Sequence, residues 1–251
     1  MRARTIALVA ALGYAAFLVA TIPASVVAAR VESATQGNVK LLEPRGTLWN
    51  GSARATVAQA TGTAQVDRIE WRFALGDLAA ARIAFDVGVT SRGFEASARL
   101  GRGLREWTAS ASRVKLDAPA LAAWAPMLAA WRPEGRIGFA CDSLAWDDQG
   151  RATGKGRLTW DDAAVSLSEV RPLGRYALDI SADHGPATLV LSTLDGPLRL
   201  SGRGSIAPAR LTFSGEARGE GPNAAALDPL LNLMGLKRAD GSRAIEVGIS
   251  L

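Results

Sequence analysis

Apolar and polar residues alternate strictly along much of this chain. Ile83, Phe85, Val87 and Val89 share one parity, with Asp86 and Gly88 between them. Phe94, Ala96, Ala98 and Leu100 repeat the pattern around Glu95, Ser97 and Arg99. The same period runs through Ile69, Trp71 and Phe73, and through Ile137, Phe139 and Cys141. It returns in Tyr176, Leu178, Ile180 and Ala182, then in Leu211, Phe213, Gly215 and Ala217, and closes the chain with Ile245, Val247, Ile249 and Leu251. Successive side chains of a strand point to opposite faces, so a period of two predicts strands with one buried and one wet face. Such strands belong to antiparallel sheets, because parallel strands are buried on both faces and read as continuous apolar runs.

Turn compositions separate these runs: Ser91-Arg92-Gly93, Asp147-Asp148-Gln149-Gly150, Asp183-His184-Gly185-Pro186 and Leu194-Asp195-Gly196-Pro197. They suit hairpin connections, in which Gly and Asp supply positive φ. About ten to thirteen strands are expected on this reading. Two segments change period. Leu121, Trp124, Ala125, Leu128 and Trp131 lie at helical spacing after Asp117 and Pro119, with Pro126 as an interruption. Asp228-Pro229-Leu-Leu-Asn-Leu-Met-Gly235 reads as N-cap, Pro at the first helical position, and terminal Gly. At their spacing Trp124 and Trp131 are read as core. No Gly/Ser-rich linker is present, so residues 30–251 read as one β-rich domain. The expected fold class is mainly β: an antiparallel multi-strand meander, curved or folded on itself, with two short helices. Its apolar face must be covered by the folded sheet, by the helices, or by something apolar from outside.

The first thirty residues have another character. Residues 6–29 form an uncharged run of 24 residues, preceded by Arg2 and Arg4 and followed by Arg30. As a helix rising about 1.5 Å per residue, the run reaches across the roughly 30 Å of a bilayer core. The basic flank predicts a cytoplasmic stub (1–5), a single transmembrane helix (6–29) and an exported domain (30–251). Pro23 near the outer end is a tolerable kink or stop. A cleaved signal peptide is the alternative, given the small residues around 24–29, although no clean A-x-A precedes Arg30. Both readings send the remainder across a membrane.

Charge and chemistry then narrow the function. The net charge of +5 looks suited to nucleic acid, but Arg2, Arg4 and Arg30 account for three of the five, and elsewhere Arg residues are scattered among Asp and Glu. No basic face is concentrated, and nucleic-acid binding is set aside. One Cys and one His cannot form a disulfide or a structural zinc site. Cys141 shares the parity of Ile137 and Phe139 and reads as a small buried hydrophobe. Gly150-Arg-Ala-Thr-Gly154-Lys155-Gly156 lacks the spacing and hydroxyl of a P-loop, and runs into a strand pattern. Gly202-Arg-Gly204-Ser-Ile-Ala207 is followed by Pro208 and a strand pattern, where a dinucleotide site needs a helix. His184 lies in a turn composition without a nucleophile elbow. The neighbouring acids Asp147/Asp148 and Asp161/Asp162 should point to opposite faces if in strands, and so cannot share a proton. No catalytic residue, cofactor, metal or small-molecule substrate is expected.

Two segments carry a family resemblance. Leu42-Glu-Pro44-Arg-Gly46-Thr-Leu48-Trp49-Asn-Gly51-Ser-Ala53 follows the N-terminal apolar run, and Leu230-Leu-Asn-Leu-Met-Gly235-Leu-Lys-Arg-Ala-Asp240-Gly241 precedes the final strand pattern. Together they resemble the N protein of the type II (general) secretion pathway, with Trp71 and the segment 118–133 in matching order between them. The resemblance spans essentially the whole chain. It implies a non-enzymatic, single-pass inner-membrane protein with a periplasmic β-rich domain, whose partners are other subunits of the secretion machine. It also favours a retained anchor. Pro44, Gly46, Leu48, Trp49, Gly51, Gly235, Asp240 and Gly241 are its motif residues here, with structural roles expected. Packing is the expected role of Trp49, and surface recognition the sharper alternative. A periplasmic lipid- or lipopolysaccharide-binding module with an open apolar groove is the rival reading, so lipid stays a candidate partner.

Overall fold

The computed structural model describes residues 10, 12–15, 17–59, 62–121, 130–149, 151–207 and 210–250. These contain thirteen strands: β1 (Val39–Gly46), β2 (Asn50–Gln59), β3 (Gly62–Phe73), β4 (Ile83–Ser91), β5 (Phe94–Arg102), β6 (Glu106–Asp117), β7 (Glu134–Asp147), β8 (Ala152–Ala164), β9 (Gly174–Asp183), β10 (Ala187–Asp195), β11 (Leu198–Ala207), β12 (Arg210–Gly219) and β13 (Arg243–Ser250). Among the described residues, each alternating run named above falls in a strand, with Leu251 outside them, and each turn composition lies at the junction of two strands. The chain forms two compact units that meet in sequence between Arg92 and Gly93, inside a turn rather than at a linker. The N-terminal unit holds β1–β4 and the C-terminal unit β5–β13. Within each, strands pair antiparallel with their sequence neighbours.

In the C-terminal unit the register lines up one apolar face. Ala96 pairs with Val114, Val114 with Phe139, Phe139 with Leu158, and Leu158 with Leu178. The row continues from Leu178 to Leu191, Gly202, Gly215 and Ile245. Polar pairs occupy the other face: Arg157 donates to Asp179 at 2.6 and 3.0 Å across β8–β9, and the Ser205 and Thr212 hydroxyls meet at 3.0 Å across β11–β12. One end of the apolar face is sealed. A 3-10 turn (Ala225–Leu227) and a short α-helix (Asp228–Met234) lay Leu227, Leu230 and Leu231 against Val165, Val170, Leu173, Leu198 and Ala217. Farther along the same face, Phe139, Leu158, Leu178 and Leu191 are only half-buried.

The helix expected from Asp228 is present, with Pro229 in its first turn. Asp228 occupies the first helical position and makes no capping bond; its carboxylate instead lies 3.7 Å from Arg243. Of the helix expected over 118–133, residues 122–129 lie outside those described, and Ala118–Ala120 form a 3-10 turn. Residues 152–156 of the P-loop-like segment lie on β8 and the dinucleotide-like segment lies on β11; residue 150 lies outside those described.

The helix expected over residues 6–29 is interrupted near its outer end, at residues 21–24. Residues 6–9, 11 and 16 lie outside those described; residues 17–20 are helical, residues 21–24 are not, and a separate helix, α1 (Ser25–Ala34), follows. The reason is local. Pro23 has no N–H to continue a helix, and Ala24 N–H turns to the Gly46 carbonyl at 3.1 Å. Thr21 closes the preceding turn, with both its amide (3.0 Å) and its hydroxyl (2.8 Å) on the Phe17 carbonyl. No helix among the described residues is long and apolar enough to cross a membrane. The helix Asp228–Met234 is designated α2 below.

Among the described residues, Leu227 is the largest side chain wholly removed from solvent. Leu227→Ala should therefore cost about 2–5 kcal/mol of unfolding free energy, with the excess over transfer reflecting the cavity left under α2. Urea denaturation of the two proteins measures it.

Candidate functional site

The motif residues 44–51 occupy the hairpin that joins β1 to β2. A bulge interrupts β1 between Leu42 and Arg45. Pro44 lies within it, where a missing N–H costs no ladder bond. The Thr47 hydroxyl accepts from the amides of Trp49 (3.3 Å) and Asn50 (3.2 Å) and shapes the turn. Gly46 sits at φ +88° opposite Gly51. A Cβ on Gly51 would come within 2.5 Å of the Trp71 ring and 2.7 Å of the Arg45 carbonyl. The two glycines thus let the hairpin close while the Trp71 indole lies against it.

Both nearby indoles donate hydrogen bonds. Trp71 Nε1–H is shared between the Thr47 and Leu48 carbonyls, each at 3.1 Å. Trp49 Nε1–H reaches the Val19 carbonyl at 2.7 Å, near the end of the apolar N-terminal segment. Leu48 N–H bonds the Ile22 carbonyl at 2.8 Å, and Pro23 bridges Thr47. Ala24, 1% exposed, then packs against Ala53 and Trp71, with Val27 of α1 beside them. On its other side Trp49 meets Phe73 edge-on at 5.0 Å, and Phe73 meets Phe85 at 5.3 Å. The motif is therefore a clamp: its backbone and Trp49 hold residues 19–24, and Trp71 holds the clamp.

The C-terminal motif builds a second joint, in the other unit. A Cβ on Gly235 would collide with the Ala244 carbonyl oxygen, so only glycine lets the chain leave α2 so close to β13. Its φ of 168° is ordinary extended backbone. Asp240 Oδ1 accepts from the Ser242 amide (3.0 Å) and hydroxyl (2.8 Å), which hold its carboxyl below the usual range. Gly241 takes φ +83° in the same turn. Arg243, 2% exposed, donates to the Gly241 carbonyl (3.0 Å) and to Asn232 Oδ1 (2.8 Å), tying the turn and β13 to α2. Arg243 was missed in the sequence. The signal was there: it shares the parity of Ile245 and Val247, and so had to face inward.

The titratable candidates do not converge. The His184 side chain is 69% exposed, with Asp183 Oδ1 at 3.0 Å and Thr153 Oγ1 at 3.3 Å. Asp147 accepts from the amides of Gln149 and Arg151 and from the Arg151 guanidinium, which lower its carboxyl from the usual range; the Arg102 guanidinium does the same for Asp148. Asp161 lies 3.8 Å from Arg175 and Asp162 3.0 Å from Arg136, on the strands either side of β8. Neighbouring acids thus serve different cations. Cys141 is buried, and burial raises its thiol above the ordinary value. Among the described residues no cluster of His, Cys, Asp and Glu could hold a metal ion.

A family model for type II secretion system protein N matches residues 37–246, a span that takes in both motifs and all thirteen strands in whole or part. No curated protein and no solved structure shows a significant similarity to the chain.

Two predictions test the joints. Trp49→Phe keeps the ring but removes the donor to Val19, a loss of about 1 kcal/mol. The amides of Ala24 and Leu48 should exchange with deuterium about five-fold faster, without change in the C-terminal unit. For Asp240 the depressed carboxyl stabilises the fold fully above the unfolded value of about 4, and that contribution fades as pH falls through its lower folded value. Wild-type protein should lose more thermal stability between pH 5 and pH 3 than Asp240→Asn, as scanning calorimetry can show.

Proposed function

The chain belongs to the type II secretion system protein N family, and from that premise we propose that it is a non-enzymatic, membrane-anchored member of the secretion machine. Family membership makes it a component of that system and implies contact with its other subunits. In the finer reading, residues 1–5 are cytoplasmic, the apolar run anchors the protein in the inner membrane, and both β units lie in the periplasm. There they assist export of folded proteins across the outer membrane through protein contacts.

The match over 37–246 carries the reading, and the clamp supports retention of the N-terminal segment. Processing at the small residues of 24–29 would remove the buried Ala24 and cut α1, whose Val27 packs on the core of the N-terminal unit. A leader meant for removal has no need of such an embedded end. Deleting the gene from a secreting strain should abolish or sharply reduce release of exported substrates. Restored full-length protein should stay at 26.2 kDa in the membrane fraction. Unchanged secretion, partner abundance and assembly would overturn the proposal.

A second reading is favoured by one specific observation. Phe139, Leu158, Leu178 and Leu191 form a continuous apolar row that α2 does not reach and that stays half-buried. Such a face could hold an acyl chain, as in a periplasmic lipid- or lipopolysaccharide-binding module. Native mass spectrometry of protein purified in mild detergent separates the two: secretion subunits without stoichiometric lipid support the first, bound lipid without those subunits the second.

A further inference from the structure

We infer that one end of the N-terminal unit is seated in the membrane interface, with the 3-10 turn between β3 and β4 dipping its leucines among the lipid headgroups. This rests on the proposed anchor and adds to it an orientation and a contact surface. The 3-10 turn (Leu75–Ala80) exposes Leu75 (72%) and Leu78 (50%), and Ile83 (58%) opens β4 directly after it. Three large aliphatic side chains exposed together at one end of a small unit call for a partner.

The clamp fixes which partner lies nearby. Phe73 N–H bonds the Trp49 carbonyl at 2.6 Å and Ala74 N–H the Ala84 carbonyl at 2.8 Å, so this turn leaves from the end of the sheet where Trp49 holds Val19. The apolar segment is thereby tied to the same edge as the exposed leucines. Its described side chains are exposed as well, Leu12 at 63% and Phe17 at 62%.

Length supplies the force. With residues 21–24 not helical, only 15 residues of the 6–29 run (6–20) precede the break. Read from its sequence as a helix, a stretch of that length would measure about 22 Å, short of a hydrocarbon core of about 30 Å. A short span is accommodated by bilayer thinning or by drawing its flanks inward. Here the outer flank is the clamped end of the unit, where Leu75, Leu78 and Ile83 are exposed. Trp49 sits where interfacial aromatics are enriched, and Asp77 between the leucines can remain hydrated at headgroup depth.

Site-directed spin labelling of the full chain tests this. With Cys141→Ser to remove the native thiol, nitroxides are placed at Leu78→Cys and, at the opposite end of β3, at Thr63→Cys. The protein is reconstituted in vesicles of phosphatidylcholine and phosphatidylglycerol. The Leu78 label should be relaxed at least three-fold more by oxygen than by a water-soluble nickel chelate, and the Thr63 label should show the reverse preference. Leu75→Cys, an independent exposed site, should repeat the Leu78 result. Chelate-accessible labels at both leucines, on protein that survives a carbonate wash, would overturn the seating and leave the anchor standing. Protein released by the wash would overturn the anchor and the seating with it.

Discussion

Within each unit the described strands pair with their neighbours in sequence, and every strand of the long row in the C-terminal unit turns its apolar residues to the same side. That one-sidedness is the constraint on which the rest depends. A meander satisfies its backbone hydrogen bonds without long crossovers, but it brings nothing over its own apolar face. The cover must come from connecting segments. α2 and the preceding turn do this at one end of the C-terminal unit. α1 and residues 19–24 do it for the small core around Trp71. The two family motifs stand where these covers are fastened to the sheet. Hence the motif residues include glycines, turn formers and the indole donor Trp49.

Much of this architecture is legible in the sequence because parity is a local property. Ile83 to Val89, or Leu211 to Ala217, declare their strands without knowledge of any neighbour, and the hairpin turns between them fix neighbour-to-neighbour pairing. The division at Arg92 was not legible. It lies in an ordinary Ser-Arg-Gly turn with no change in composition, and only tertiary contacts distinguish it. The broken N-terminal helix was half legible. Hydropathy counts uncharged residues and ignores where each N–H goes. Pro23 marked the break, but its partners, Gly46 and Leu48, lie more than twenty residues away.

The sites divide in the same way. The Pro44–Gly51 motif stood out by composition, yet the role of Trp49 depends on a bond to Val19 thirty residues earlier. Sequence alone left packing and recognition both open for this side chain. The geometry gives it a hydrogen bond, an edge contact with Phe73 and partial exposure at once. Arg243 presents the opposite case. A lone arginine on an inward parity invites dismissal as an irregular strand start. It is instead the buried post to which the Gly241 turn and Asn232 are tied.

The polar face explains a charge pattern that is otherwise puzzling in a chain of net charge +5. Arg157 lies directly opposite Asp179, Arg102 reaches Asp148, and Arg199 reaches Glu220, with a carboxylate within 2.8 Å in each case. Exposed pairs of this kind are weakened by solvent screening and contribute little each, so they do not hold the sheet together. Their effect is on register. A slip of one residue between β8 and β9 would put either Arg157 or Asp179 on the face lined by Leu158 and Leu178, stranding a charge among apolar side chains. The apolar face drives association without specifying which residue meets which. The scattered arginines supply that specification, and so they are spread singly over many strands instead of gathered into a basic patch.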